Sequence, residues 1–498
     1  MSYKELISVM TPKDKSGFIS FLEARNKRKT NRSVALFRSW IDDEPNRLRS
    51  KLSDNAFNVL KKRTSDLLLQ YIAQSSLNSS DPIEWNVYQN LFMAKRLLSN
   101  NPNRLGFKLL AKAEKEALKH HRYRLLNEVY QTAIEYSYHS LSEEQEALFI
   151  KTDQNKRQIE HEEQLNMLYA KIKRSFYKAE FNQEKIDFQL LVNNPIDDLQ
   201  SSFPEVVITF ASLFKIVQMF DYYAAQLRNY HEIDSFVEEQ WSRTVKAHIE
   251  NNYDVYYKLE TLYALANINF RKKNFIKSLE YLKLLENELA DHKKQYLIKY
   301  QIRYTTLKAL NLHFIEESEM ANELLESLII GGKYEKKNLY SAILTQSMIS
   351  FHREDFKSTA RLLAQLNFSD SWYEKTVGID WNLHKKYMEI LLHVELGNID
   401  LVESRINSMR RKYKSQLEND RNSQALPFLR LIQTYVNDPQ IVITIDFSEK
   451  VENTIEWKQR EEEDIFFICF YGWLKSKMNG TPLFDTTLDL LKKGRIQS

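Results

Sequence analysis

Residues 262–286, LYALANINFRKKNFIKSLEYLKLLE, constrain the fold more than any other stretch. Leu262, Leu265, Ala266 and Asn269 fall at helical spacing, and Ser278, Leu279, Leu282 and Leu285 mark a second apolar stripe with a period near 3.6. The polar run Arg271-Lys272-Lys273-Asn274 separates the two stripes between a pair of aromatics, Phe270 and Phe275. The spacing predicts two short antiparallel helices joined by a tight turn. Ala266 and Ser278, one small residue per helix, let the pair approach closely, and the two phenylalanines wedge the turn.

The pattern recurs. Ala309 and Ala321 flank the run 313–318, HFIEES; Ser347 and Thr359 flank 351–356, FHREDF; Ile390 and Val402 flank 394–399, VELGNI. The first members of the four pairs lie 43, 38 and 43 residues apart. The paired small residues across a helix turn resemble the tetratricopeptide-like helical-repeat superfamily, whose strict period is roughly 34 residues. The likeness covers residues 262–412. It departs from the strict pattern in three ways: the repeat's characteristic helix-A tryptophan is absent, the expected glycine is Ala, Ser or Ile, and no proline closes a unit. The resemblance implies an all-α fold, a superhelical array of antiparallel helix pairs (an α-solenoid) with a small helical N-terminal unit. The N-terminal stretch and the run EEEDIFFICFYGWLKSKM near the C-terminus also look similar to a group of bacterial proteins of about this length. Those proteins carry a small helical head and such repeats, and the likeness implies no activity.

Composition agrees with long helices and short polar connectors. The chain of 498 residues has only 9 Gly and 9 Pro, too few for the many turns of a sandwich fold. Its 27 Tyr and 27 Phe suit seams between stacked helix pairs. A net charge of +4 does not by itself point to nucleic acid. The single cysteine, Cys469, rules out an internal disulfide framework and suits a reducing compartment. The longest apolar run, residues 465–474, falls well short of the roughly 20 residues that a membrane-spanning helix needs. No signal-peptide core opens the sequence. A soluble cytoplasmic protein with no membrane association is expected.

Four regions follow: a basic helical unit over 1–80, a helical region with a long helix and degenerate repeats over 81–260, the repeats over 261–412, and a helical cap over 413–498. Residues 25–63 hold 12 Lys or Arg against 4 Asp or Glu. Ser75 to Pro82, SSLNSSDP, reads as a linker, and residues 193–204, NNPIDDLQSSFP, as a loop and boundary. Residues 141–187 read as one or two long helices; the stretch 151–164 has Ile159 as its one apolar residue and is expected to be mostly solvated. Residues 441–447, IVITIDF, read as an extended connector rather than an isolated strand. The apolar run after Glu461-Glu462-Glu463-Asp464 is expected to close the end of the array.

The residues offer little to chemistry. His161-Glu162-Glu163 begins like a zincin helix, but Leu165 stands where the second histidine belongs. No phosphate-cradling glycine loop and no nucleophile elbow occur, and Cys469 lies in an aromatic run that favours an inert thiol. No catalytic residue, cofactor or metal ligand is expected. In stacked hairpins the first helix of each unit forms most of the binding wall. That places Asn267, Asn311 and Gln346, with Tyr263, Tyr304 and Tyr340, as its polar and aromatic candidates, although the tyrosines equally suit packing between units. The leading reading is a non-catalytic scaffold for a protein or peptide partner. The alternative is a regulator whose basic N-terminal unit binds nucleic acid while its repeats bind protein.

Overall fold

Every regular element is helical in the computed structural model of the chain, which describes residues 3–8, 10, 12–25, 31–42, 44, 48–49, 52–79, 82–182, 190–191, 194–204, 206, 208–227, 234–247, 255–291, 297–331, 334, 338–417, 424–455 and 464–493. Among these residues there are 25 α-helices and no strand. The chain divides into two compact units, Met1–Glu160 and His161–Ser498.

The first unit contains α1 (Tyr3–Ser8), α2 (Pro12–Arg25), α3 (Arg32–Ile41), α4 (Asp54–Ser79), α5 (Pro82–Asn100), α6 (Arg104–Lys119), α7 (Tyr123–Glu135) and the start of α8 (Gln145–Asn182). Asn31 starts α3 by accepting from the N–H groups of Ser33 and Val34 at 3.2 and 3.4 Å. The unit has two cores. One gathers Phe18, Leu22, Phe37, Trp40 and Leu68; the other gathers Val87, Leu91, Leu98, Leu110, Leu126 and Val129.

The stretch read as a linker at Ser75 to Pro82 is a correction. Helix α4 runs on to Ser79 and α5 opens at Pro82. Ser and Asn cost a helix only a few tenths of a kcal/mol each, and proline is tolerated in the first turn. The region read as solvated also differs. On α8, Thr152, Asn155 and His161 are buried although none is apolar. Asn155 donates through Nδ2 to the Tyr123 carbonyl at 3.0 Å, so polar contacts fix this face of the helix.

The second unit contains the rest of α8, then α9 (Asn194–Ser202), α10 (Phe210–Leu227), α11 (Asp234–Ala247), α12 (Val255–Arg271), α13 (Phe275–Asp291), α14 (Leu297–Phe314), α15 (Ser318–Ile330), α16 (Tyr340–His352), α17 (Phe356–Leu363), α18 (Asp370–Thr376), α19 (Ile379–Glu395), α20 (Ile399–Lys412), α21 (Lys414–Leu417), α22 (Ala425–Asn437), α23 (Ile445–Thr454), α24 (Ile465–Asn479) and α25 (Leu483–Lys493). One continuous core runs through it from Leu165 to Leu491. The loop expected at 193–204 is α9, with Ile196 and Leu199 buried in that core; Pro195 sits in its first turn, where its missing N–H costs nothing. The connector expected at 441–447 is a 3₁₀ turn, Pro439–Ile443, followed by α23. Asp438 caps the turn and Thr444 caps the helix, so side-chain capping overrides the β-branched preference of the run.

Four hairpins, α12–α13, α14–α15, α16–α17 and α19–α20, carry the recurring pairs. All eight small or branched residues, from Ala266 and Ser278 to Ile390 and Val402, are buried. Each hairpin packs against the next: α13 meets α14, α15 meets α16, α17 meets α19, and successive first helices also touch. The turns share one geometry. Lys273, Glu316, Glu354 and Gly397 are all left-handed, at φ +63°, +74°, +60° and +71°. In each, the following N–H reaches five residues back: Asn274 to Asn269, Glu317 to Leu312, Asp355 to Ser350 and Asn398 to His393, all at 2.9 Å. This is the Schellman closure of a helix C-terminus.

Helices α24 and α25 form a further hairpin, closed by left-handed Gly480. Asp464 caps α24 through the Phe466 N–H at 2.9 Å; Glu461, Glu462 and Glu463 lie outside the described residues. The expected cap over the end of the array is a different arrangement. Residues 464–492 run along the C-terminal ends of all four first helices. Arg271 of α12 pairs with Asp464 at 2.8 Å, and Trp473 Nε1 donates to Glu395 of α19 at 2.5 Å. The Leu483 N–H donates to Glu354 at 3.2 Å, and Lys492 pairs with Glu316 at 3.1 Å. Nine of the fifteen residues of α24 are buried, so it is core on nearly every side.

Candidate functional site

The six wall candidates fall into different environments. Asn267 is half-buried. Asn311 is wholly buried and spends its amide on the Leu307 carbonyl of its own helix at 2.8 Å. Tyr263 lies 4.0 Å under the Arg303 guanidinium, Tyr304 accepts from Lys308 Nζ at 2.9 Å, and Tyr340 meets Trp372 and Trp381 edge-on. The tyrosines therefore pack between helices. Gln346 lines a cavity.

That cavity, about 460 Å³, lies between α15 and α17, the second helices of two successive hairpins. Gln346 and Ser350 of α16 and Arg353 at its C-cap line it at helical spacing, between α15 residues such as Asn322 and Glu326 and, on the other side, Arg361 of α17 and Gln365 just beyond it. Ten of its thirteen lining residues are polar. Gln346 donates to Asn322 Oδ1 at 3.0 Å, and Arg353 pairs with Glu319 at 2.5 Å. Asp355 caps α17 through the Ser358 N–H at 3.0 Å, and those hydrogen bonds hold its carboxyl below the usual range.

The neighbouring hairpins treat the equivalent position differently. Lys308 stands 38 residues before Gln346, and Glu389 stands 43 after it. Lys308 reaches Glu286 of α13 at 3.5 Å, while Glu389 takes Lys385 at 2.5 Å and Arg405 of α20 at 2.8 Å. Charged bridges occupy those two positions, and a neutral carboxamide pair occupies the middle one. Asn322, Glu326, Arg361 and Gln365 escaped the sequence reading. The available signal was Gln346 itself, uncharged where its counterparts are charged.

A second polar cluster sits at the start of the array. Arg303 pairs with Glu260 at 3.2 Å and Arg271 with Asp464 at 2.8 Å. Burial raises the Asp221 carboxyl, and the positive charges of Arg271 and Arg303 pull it back down. Burial likewise raises the Tyr263 phenol against the same two arginines. The cations and anions of this cluster neutralise one another, which suits a structural tie between α10, α12 and α14.

One histidine pair and the cysteine are buried. His313 Nε2 and His352 Nδ1 share a hydrogen bond at 2.9 Å, and His313 Nδ1 bonds Ser318 Oγ at 2.8 Å. Both rings are buried, and Phe484 stacks on His313 at 4.3 Å. Burial pushes His352 down to about 4; burial, then His352 and Arg353, lowers His313. Burial drives the Cys469 thiol up, with Asp464 adding to the effect. Among the described residues no three His, Cys, Asp or Glu side chains gather as a metal site.

In the basic N-terminal unit, Arg25 donates to Gln70 at 3.3 Å and lies 4.9 Å over Phe21, while Arg49 pairs with Asp54 at 3.1 Å. Lys27, Arg28 and Lys29 lie outside the described residues. No described helix is long and apolar enough to cross a membrane. An all-helical chain of packed helix pairs is what the fold defines. No known protein family, curated protein or solved structure matches it.

Proposed function

We propose that this chain is a non-catalytic interaction scaffold of the cytoplasm, a tetratricopeptide-like superhelical array that binds a protein or peptide partner. The observation that carries this reading is the recurrence of one turn. Four hairpins place a left-handed residue seven positions after the buried first member of each pair (Ala266, Ala309, Ser347 and Ile390), and they pack in chain order. Chains built from serially packed hairpins gain an extended surface that suits partner binding. The burial of the His313–His352 pair and of Cys469 supports a binding role over catalysis by these groups, because a catalytic centre needs accessible groups with tuned pKa values.

Two measurements test it. Small-angle scattering should give a radius of gyration clearly above the roughly 23 Å of a globule this long. Co-purification from the native cell should recover a partner that rebinds the purified chain at micromolar Kd or tighter. A globular radius would end the superhelical reading. Failure of every recovered protein to rebind would end the scaffold reading.

A further inference from the structure

We propose that the cavity over α16 binds an extended polypeptide segment of a partner, one that offers an acidic side chain to Arg361 and a basic one to Glu326. The inference rests on the scaffold reading and names the ligand class of one groove within it.

Three features carry it. The first is size: about 460 Å³ falls within the roughly 300–1,000 Å³ of binding clefts. The second is the lining. Small-molecule pockets are mostly apolar, whereas this one has three carboxamides, Asn322, Gln346 and Gln365. A carboxamide both donates and accepts, as a peptide main chain does, so these side chains match backbone N–H and C=O groups whatever the sequence. An extended strand leaves those groups free, whereas a helix consumes its own. The third is charge. Arg353 and Asp355 are already engaged, by Glu319 and by the α17 N-terminus. Glu326 and Arg361 are exposed on opposite walls and form no ion pair among the described residues. The same position in the flanking hairpins carries the Lys308 and Glu389 ion pairs, whereas this hairpin presents neutral carboxamides there.

The test is selection of a phage-displayed library of random nine-residue peptides on the intact chain. Selected peptides are then titrated against the wild type and against Arg361→Glu, Glu326→Lys and Gln346→Leu. Both charge changes are at exposed positions, and thermal melts verify that the variants fold. Peptides carrying both charge signs should be enriched. Their affinity should fall about tenfold or more in each charge variant, and a peptide with the matching charge reversed should regain it. Gln346→Leu should weaken all selected peptides alike, because it removes a main-chain contact. Equal binding to all variants would overturn the groove assignment while leaving the scaffold reading intact. Absence of any enriched peptide would also overturn it. The scaffold reading would then stand or fall on the rebinding of a folded partner.

Discussion

The Ser278 hydroxyl donates to the Ala266 carbonyl at 2.7 Å, tying the two helices of the first hairpin together at the position where both residues are fully buried. Thr359 lies at the same position, but its hydroxyl is closer to the Asp355 carbonyl of its own helix, at 2.8 Å, than to the Ser347 carbonyl across the hairpin, at 3.5 Å. Ser278 serves two ends: its small side chain lets the helices close, and its hydroxyl satisfies a carbonyl on the facing helix. Ser278→Ala keeps the space and loses the hydrogen bond, so it should cost about 1 kcal/mol. Ser278→Leu should cost more, roughly 1–3 kcal/mol, by forcing the helices apart. Urea unfolding of both variants checks the order; equal costs would mean the helices do not need this close approach.

The hairpin turns make a separate prediction. Gly397 is left-handed at φ +71°, and a Cβ placed there would meet nothing within 4 Å. Gly397→Ala therefore carries a backbone cost alone, about 1–2 kcal/mol. The melting temperature should fall by a few degrees. An unchanged value would place the strain elsewhere, since no clash is available to explain a loss or hide one.

The buried histidine pair sets an acid limit. His352 is neutral in the fold, with its pKa pushed down to about 4, while in the unfolded chain it takes a proton near 6.5. The unfolded state thus binds more protons as pH falls through 6.5, and stability is lost from there down to about 4. The full loss from this one group is about 3 kcal/mol. His313 shifts in the same direction and adds to it. Urea midpoints measured at pH 7 and pH 4.5 should differ markedly in the wild type and less in His352→Asn, which keeps a polar atom near Nδ1. Equal pH dependence in the two proteins would remove His352 as the cause.

Removing residues 464–498 should do more than trim an end. The nine buried residues of α24 include Ile465, Ile468, Phe470, Tyr471, Trp473 and Leu474, each contributing about 1.5–3 kcal/mol of burial. Their sum rivals the entire stability of a typical domain. The truncated chain should lose its cooperative melt and bind a hydrophobic dye. A monomeric, cooperatively melting product would show that the repeats are self-sufficient.

Much of the array was legible in the chain. Ala266, Ser278, Ala309, Ala321, Ser347 and Thr359 announce close helix contacts, because only small residues fit there, and their recurrence fixes where each turn must fall. The left-handed turn residues were less legible. Only Gly397 is glycine; Lys273, Glu316 and Glu354 hold the same conformation without its composition signal. The cavity was nearly invisible. Gln346 was within reach of the sequence, but its meaning depends on Lys308 and Glu389 being bridged and on α15 and α17 standing apart above α16.

The sequence by itself determined that this chain is helical and where its hairpins turn, because apolar period, small-residue spacing and capping are local properties that read out over a dozen residues. Tertiary structure alone decided the rest. It carried helix α4 on to Ser79, buried Asn155 and His161, and laid α24 and α25 together along the ends of the four first helices. Those outcomes hang on contacts such as Arg271 with Asp464 and Trp473 with Glu395, which join residues 193 and 78 positions apart. No local pattern encodes which distant partner will satisfy a buried polar group, since that depends on how all the intervening helices have packed.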